Sequence, residues 1–381
     1  SVNQILFFNS VAFLNAEKLI FEASCSATDA IYVPSLFSGL LFFSVSDHLK
    51  EGINNDVFSI SHRSKKFKKI YESCITKLRT FLEIPENYNI CFLSSANEIW
   101  ERIIHNLVLE SSTHLVNGAF SKKFYDFAKM NKIDAKEFFY DRVEYDEDDL
   151  VDDELVALTL NETSRGIMCD SDKISSIRNK LKNSLVALDC VSGLPSIPFN
   201  ISDVDTFYFS VQKCFGLPSG LGVWVYNEKC LEKNKSISDK KITGTYHSLK
   251  TLHNKTLNFQ TPETPNVLAI FLLSRVLDDM IRIGKDRIIR ETNYKSSLLY
   301  NTIKQSNLLK EYIENKSIQS KTVIVADTEK DSDYFIENLR RKNLIIGKGY
   351  GSINNQIRIA NFPAHSKESI ELLCDELTKL Q

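Results

Sequence analysis

Residues 207–225 constrain this chain more than any other stretch. The run Phe-Tyr-Phe-Ser-Val reads as a strand from its aromatic and β-branched content, and Gln212 and Lys213 follow it directly. A Gly/Pro/Ser loop then runs from Gly216 to Gly222, and a second β-like run covers residues 223–226. One lysine is therefore delivered to a strand end, beside a glycine-rich turn and deep in apolar sequence. A lysine desolvated in this way loses its proton near neutral pH and can attack a carbonyl carbon to form a Schiff base. Taken alone, the same pattern also describes a surface lysine at a hairpin turn.

A second stretch separates these readings. Residues 184–192 read Ser-Leu-Val-Ala-Leu-Asp-Cys-Val-Ser, an apolar strand that ends in Asp189. A buried carboxylate at the end of a parallel strand needs a cationic partner. A pyridinium nitrogen is such a partner, and a Schiff-base lysine with that aspartate is the constellation of a pyridoxal phosphate site. Asp189-Cys-Val-Ser-Gly-Leu-Pro, followed by Phe209-Ser-Val-Gln-Lys-Cys-Phe-Gly-Leu-Pro-Ser-Gly-Leu-Gly-Val-Trp, resembles the fold-type I, class V aminotransferases. More narrowly it is similar to the phosphoserine aminotransferase branch, over roughly residues 31–381.

The resemblance implies a fold and a set of roles. The fold is α/β: a large domain with a mostly parallel sheet, expected over 31–262 after an extension at 1–30, and a smaller C-terminal α/β domain over 263–381. Lys213 and Asp189 are the expected catalytic residues. Ser95 and Ala96 would cradle the cofactor phosphate, Phe120 would stack on the ring, and Thr163 in Asn161-Glu-Thr and Gln212 would be further ligands. Gln260 and Thr261 fall in a segment that would reach across a homodimer to the partner's cofactor. Arg358 in Gln-Ile-Arg-Ile-Ala-Asn-Phe-Pro would grip the substrate α-carboxylate, with His62 and Arg63 of Ser-His-Arg on its distal anion. Two departures stand out. Ile31-Tyr-Val-Pro-Ser-Leu-Phe-Ser-Gly lacks the usual Gly-Pro-Ser core, which alters the 33–37 loop, and Gly347-Lys-Gly-Tyr-Gly351 replaces a His-Arg pair, leaving Lys348 as its substitute.

Read without the resemblance, several of these positions have plainer explanations. Ser94-Ser-Ala-Asn-Glu follows a strand at 89–93, and a serine N-cap explains it as well as a phosphate turn. Ser61 or Ser64 could cap the amphipathic helix expected over 65–83. Trp100 and Ile103 read as core. The prolines at 262–265 suit a turn before a helix at 266–283, and the acidic run 141–154 reads as a solvated connection.

Composition excludes other classes. A net charge of −2 over 381 residues gives no reason to expect nucleic acid or membrane as a partner. The first thirty residues hold short apolar runs broken by polar residues, with neither the length of a membrane span nor a basic leader, so no secretory signal is expected. Eight scattered cysteines without C-x-x-C spacing suggest free thiols in a reducing, cytoplasmic setting and no zinc site; no metal is expected.

The expected activity is amino-group transfer between phosphoserine and 2-oxoglutarate, giving phosphohydroxypyruvate and glutamate. The alternatives are a pyridoxal phosphate enzyme of this fold turned to another amino acid, or to elimination, substitution or decarboxylation, and a non-catalytic homologue.

Overall fold

The computed structural model describes residues 40–139, 150–351 and 353–380. The expected extension at 1–30, the altered 33–37 loop and most of the acidic run lie outside the described residues. Helix α1 (Val45–Asn54) leads to α2 (Lys65–Leu82), where the Ser64 hydroxyl accepts the Phe67 N–H at 3.1 Å as N-cap. Phe67, Tyr71, Cys74, Leu78 and Phe81 fall on one face of α2 and are buried, the spacing an amphipathic helix requires.

Strand β1 (Tyr88–Leu93), helix α3 (Ala96–Leu107), β2 (Ser111–Val116), α4 (Ala119–Met130), β3 (Asp134–Phe139) and β4 (Leu155–Thr159) follow. A small hairpin, β5 (Asn161–Glu162) and β6 (Ile167–Met168), precedes α5 (Ser171–Lys180), β7 (Leu185–Asp189), β8 (Thr206–Ser210) and β9 (Gly222–Asn227). The seven-stranded sheet has the order β1-β9-β8-β7-β4-β2-β3. Only β9 runs against its neighbours; the other pairings are parallel.

Period-two alternation places this sheet between two cores. Val186 and Leu188 of β7 and Phe207 and Phe209 of β8 enter one cluster with α2. Leu185, Ala187 and Tyr208 enter the other, with α3. Strands covered on both faces carry unbroken apolar runs, and each such side chain contributes about 1.5–3 kcal/mol on burial. Parallel strands joined through helices put their C-terminal ends along one edge, which collects Thr159, Asp189 and Ser210.

After β9 come α6 (Glu228–Ser238) and α7 (Leu249–Thr256), then α8 (Val267–Ile283) and α9 (Lys285–Gln305). The remaining elements are β10 (Leu309–Glu311), β11 (Val323–Thr328), α10 (Ser332–Arg340), β12 (Gly347–Lys348), β13 (Gln356–Ala360) and α11 (Lys367–Lys379). The second sheet, β10-β11-β13-β12, is antiparallel, and with α9, α10 and α11 it builds a separate core around Leu299, Ile324, Phe335, Ile357 and Leu373. The first helix of the stretch expected as the small domain, α8, instead buries Ile270, Leu273 and Leu277 in the cluster under the large sheet.

The acidic run is not solvated at its end. Asp153 is buried and accepts hydrogen bonds from Thr113 Oγ1 at 2.5 Å and Lys136 Nζ at 3.0 Å. Glu154 accepts the Leu109, Glu110 and Ser111 N–H groups at the start of β2. Among the described residues no helix is long and apolar enough to cross a membrane, and no cluster of His, Cys, Asp and Glu has metal-site geometry. The seven described cysteines are buried.

Candidate active site

Lys213 sits three residues past β8 on the 211–221 loop that turns the chain back into β9. Val211 N–H donates to the Leu221 carbonyl at 3.2 Å, and Gly216 N–H to the Lys213 carbonyl at 3.0 Å, which closes the loop on itself. Gly216 has φ of +59°, and a Cβ there would lie 2.8 Å from the Phe42 nitrogen; only glycine fits. Burial holds the Lys213 ammonium below its ordinary pKa, and the nearby Arg358 guanidinium pushes the same way. The Phe362 ring centre lies 5.9 Å from its nitrogen.

Asp189 ends β7 and is 6% exposed. Its Oδ1 accepts Val191 N–H at 2.9 Å, and its Oδ2 accepts the Trp100 indole N–H at 3.2 Å. Burial outweighs these donors and lifts the carboxyl pKa to about 7. No described cation pairs with it.

Between Lys213 and Asp189 lies a cavity of about 250 Å³ lined also by Ser95, Ala96, Phe120, Thr159, Asn161, Thr163 and Gln212. Ser95 is the N-cap of α3: its hydroxyl accepts Glu98 N–H at 3.2 Å, while Glu98 Oε2 accepts Ser94 N–H at 2.9 Å. The capping reading and the cavity-lining reading both hold there. Ala96 N–H donates to Ser210 Oγ at 2.9 Å, and Gly222 allows this approach, since a Cβ on it would stand 2.8 Å from the Ser95 carbonyl carbon.

Phe120 is presented by the first turn of α4, whose Phe120 and Ser121 N–H groups donate to the buried Glu162 Oε2 at 3.0 and 2.9 Å. Arg358, on β13, donates through Nε to the Lys348 carbonyl at 2.9 Å and through Nη1 to the Thr163 carbonyl at 3.4 Å. That places its guanidinium where the small sheet meets the cavity wall.

Six expected residues do not line this cavity: Arg358 at its edge, Lys348, and a group of four apart from it. Arg63 Nη1 donates to Gln260 Oε1 at 2.7 Å and to the Thr261 carbonyl at 3.0 Å, so these three form a second group, with His62 beside Arg63 on the turn before α2. Lys348 needs correction. Strand register sets it opposite Ile357, one position off Arg358, so its side chain leaves by the other face of the sheet. Its ammonium pairs with Asp333 at 2.7 Å, and only its carbonyl serves the site, as the acceptor that orients Arg358.

Trp100 is the residue that the sequence reading missed. It is 2% exposed, as a core residue would be, yet it lines the cavity and donates to Asp189. A hydrogen bond to a charged group is worth about 1.5–3 kcal/mol. Trp100→Phe is accordingly expected to lower kcat/KM by about 10- to 100-fold. Steady-state kinetics at saturating cofactor test this; a change under about twofold would remove Trp100 from the site.

The family model for class-V aminotransferases matches residues 125–369. The chain belongs to the class-V aminotransferases. A phosphoserine aminotransferase from Rhodococcus opacus is 28% identical over 330 residues, covering 84% of this chain and 87% of that protein. The crystal structure of a phosphoserine aminotransferase from Cytophaga hutchinsonii is 40% identical, with a TM-score of 0.88 over 91% of this chain and 98% of that one. An aspartate aminotransferase from Thermus thermophilus shares the fold at 18% identity, with a TM-score of 0.79 over 91% of this chain and 97% of that one. This class-V aminotransferase is therefore a pyridoxal phosphate-dependent enzyme, which sets the non-catalytic reading aside. The cavity fits that cofactor: a buried carboxylate without a cation faces it from one strand end, and a desolvated lysine faces it from the next.

Proposed function

We propose that this aminotransferase exchanges an amino group between phosphoserine and 2-oxoglutarate and works as a homodimer. The 40% identity to the Cytophaga hutchinsonii phosphoserine aminotransferase carries the substrate reading. The geometry of Arg63 supports it: its guanidinium is bound by an amide and carbonyls and by no described carboxylate, so its charge is left for an anionic substrate group.

When bound, pyridoxal phosphate supplies a sink for the electrons left at the substrate Cα as its proton departs. Asp189 would keep a proton on the ring nitrogen. Lys213, its ammonium destabilised by burial, would be the base that takes the Cα proton and returns it on the far side of the amino nitrogen, at the carbon of the cofactor's aldehyde group. Phe120 would cover one face of the ring and exclude water, while Thr163, Gln212, Ser95 and Ala96 would hold the cofactor's oxygens. Arg358 grips the substrate carboxylate with a paired contact. Gln260 and Thr261 serve the partner subunit's site, and Arg63 with His62 receives the distal phosphate.

One observation favours a different amino acid: Lys348, the substitute for the missing His-Arg pair, is turned away to Asp333. Comparing L-phosphoserine with L-serine decides. The phosphoserine reading expects kcat/KM higher by about 100-fold or more, the worth of one well-made charged contact. Equal values for the two would overturn it and leave an aminotransferase with another donor.

A further inference from the structure

His247 plays no part in the proposed chemistry, yet its surroundings are built with care. The ring is 7% exposed. Nδ1 is hydrogen-bonded to Glu98 Oε1, and Nε2 lies 2.9 Å from Glu263 Oε2. The Tyr246 ring lies against it, with centroids 4.0 Å apart. Burial alone would depress the imidazole pKa, but the bonds to Glu263 and Glu98 outweigh it and hold the value up to about 9. At neutral pH both ring nitrogens therefore carry protons and both donate.

The two carboxylates belong to different parts of the site. Glu98 stands in the first turn of α3, two residues after Ala96, and its other oxygen is bound by the Ser94 N–H at 2.9 Å and hydroxyl at 2.5 Å. Glu263 follows Gln260 and Thr261 on the segment that leads into α8, and its carbonyl accepts the Thr261 hydroxyl at 2.8 Å. Arg63 is attached to that same segment. One imidazolium thus joins the turn at the start of α3 to the segment carrying Gln260, Thr261 and Arg63.

We propose that His247 is a positioning residue that pins segment 260–263 to the phosphate turn at 94–98, so that both anion-binding elements of the dimer are held at a fixed spacing. It rests on the reading of Ser95, Ala96, Gln260 and Thr261 as phosphate contacts. Losing the pin weakens the grip on the cofactor phosphate and on the substrate's distal anion and leaves the proton transfer at Lys213 alone. A residue that merely stabilised the fold would lower thermal stability without moving cofactor affinity or the balance between KM and kcat.

The test is a titration of cofactor-free protein with pyridoxal phosphate, followed by quenching of tryptophan fluorescence, with steady-state kinetics at saturating cofactor. His247→Gln is expected to bind the cofactor about tenfold more weakly and to raise KM for phosphoserine by a similar factor, with kcat within about twofold. Glu263→Gln removes the charge from one of the two ion pairs and should give the same pattern if His247→Gln does not fold. Thr261→Ala separates the two levels of the argument. If Thr261→Ala weakens cofactor binding while His247→Gln and Glu263→Gln leave it within twofold, the pin is wrong and the phosphate segment stands. If Thr261→Ala changes nothing, the reading of the segment fails and takes the pin with it.

Discussion

Lys213→Ala is expected to reduce amino-group transfer by on the order of 10⁴-fold or more while leaving the fold intact. On the proposed mechanism the loss is large because one side chain would perform two tasks, covalent attachment of the cofactor and movement of the Cα proton. Its magnitude does not come from structural damage, since the loop around it is closed by backbone hydrogen bonds and by Gly216. Removing a desolvated ammonium relieves the native state of an unfavourable burial, so the melting temperature should hold or rise slightly. Lys213→Arg is the sharper variant. It keeps the positive charge but cannot release a proton near neutral pH, so its activity should fall as far as that of the alanine variant. Activity in Lys213→Arg within tenfold of the parent would show that the Cα proton goes elsewhere. Visible absorbance after adding cofactor gives a second readout, because neither variant can form the covalent link.

The sequence reached this site unevenly, and the reasons are physical. Strands buried on both faces have a strong local signature, which is why β7 with Asp189 and β8 with Lys213 stood out. The helices α6 and α7 carry no such signature, because each buries only a narrow stripe: Cys230, Asn234 and Ile237 in α6, and Leu249, Leu252 and Thr256 in α7. Trp100 reads as core from its helical spacing, and only the placement of α3 across the end of β7 gives its N–H a partner. Lys348 shows the opposite failure. A lysine one strand from Arg358 looks available, but strand register decides which face it uses, and a single-residue offset sends it to Asp333. The meeting of Arg63 with Gln260 spans 197 residues, a separation at which no local pattern reports contact.

Asp189→Asn should make the enzyme far less active and its cofactor-free form more stable, an opposition that a purely structural aspartate would not produce. An unfolded aspartate titrates near 4, whereas burial lifts Asp189 to about 7 in the folded protein. Between those values the folded state holds a proton that the unfolded state has released. Stability therefore falls as pH rises from about 4, and the whole loss is in place above about 7. Asparagine has no proton to lose. Cofactor-free Asp189→Asn is accordingly expected to exceed the parent by a few kcal/mol at pH 8 and to match it near pH 4. Binding the cofactor is expected to reverse the order, because a pyridinium beside Asp189 would turn the unpaired charge into an ion pair that the variant cannot make. Activity should fall by about 10³-fold, the scale of a broken buried ion pair at about 4 kcal/mol. Thermal melts at pH 4 and pH 8, each with and without pyridoxal phosphate, read all four states. Equal stability of the two cofactor-free proteins at pH 8 would mean that Asp189 already has a counter-charge, and the assignment of its carboxylate to the ring nitrogen would fall.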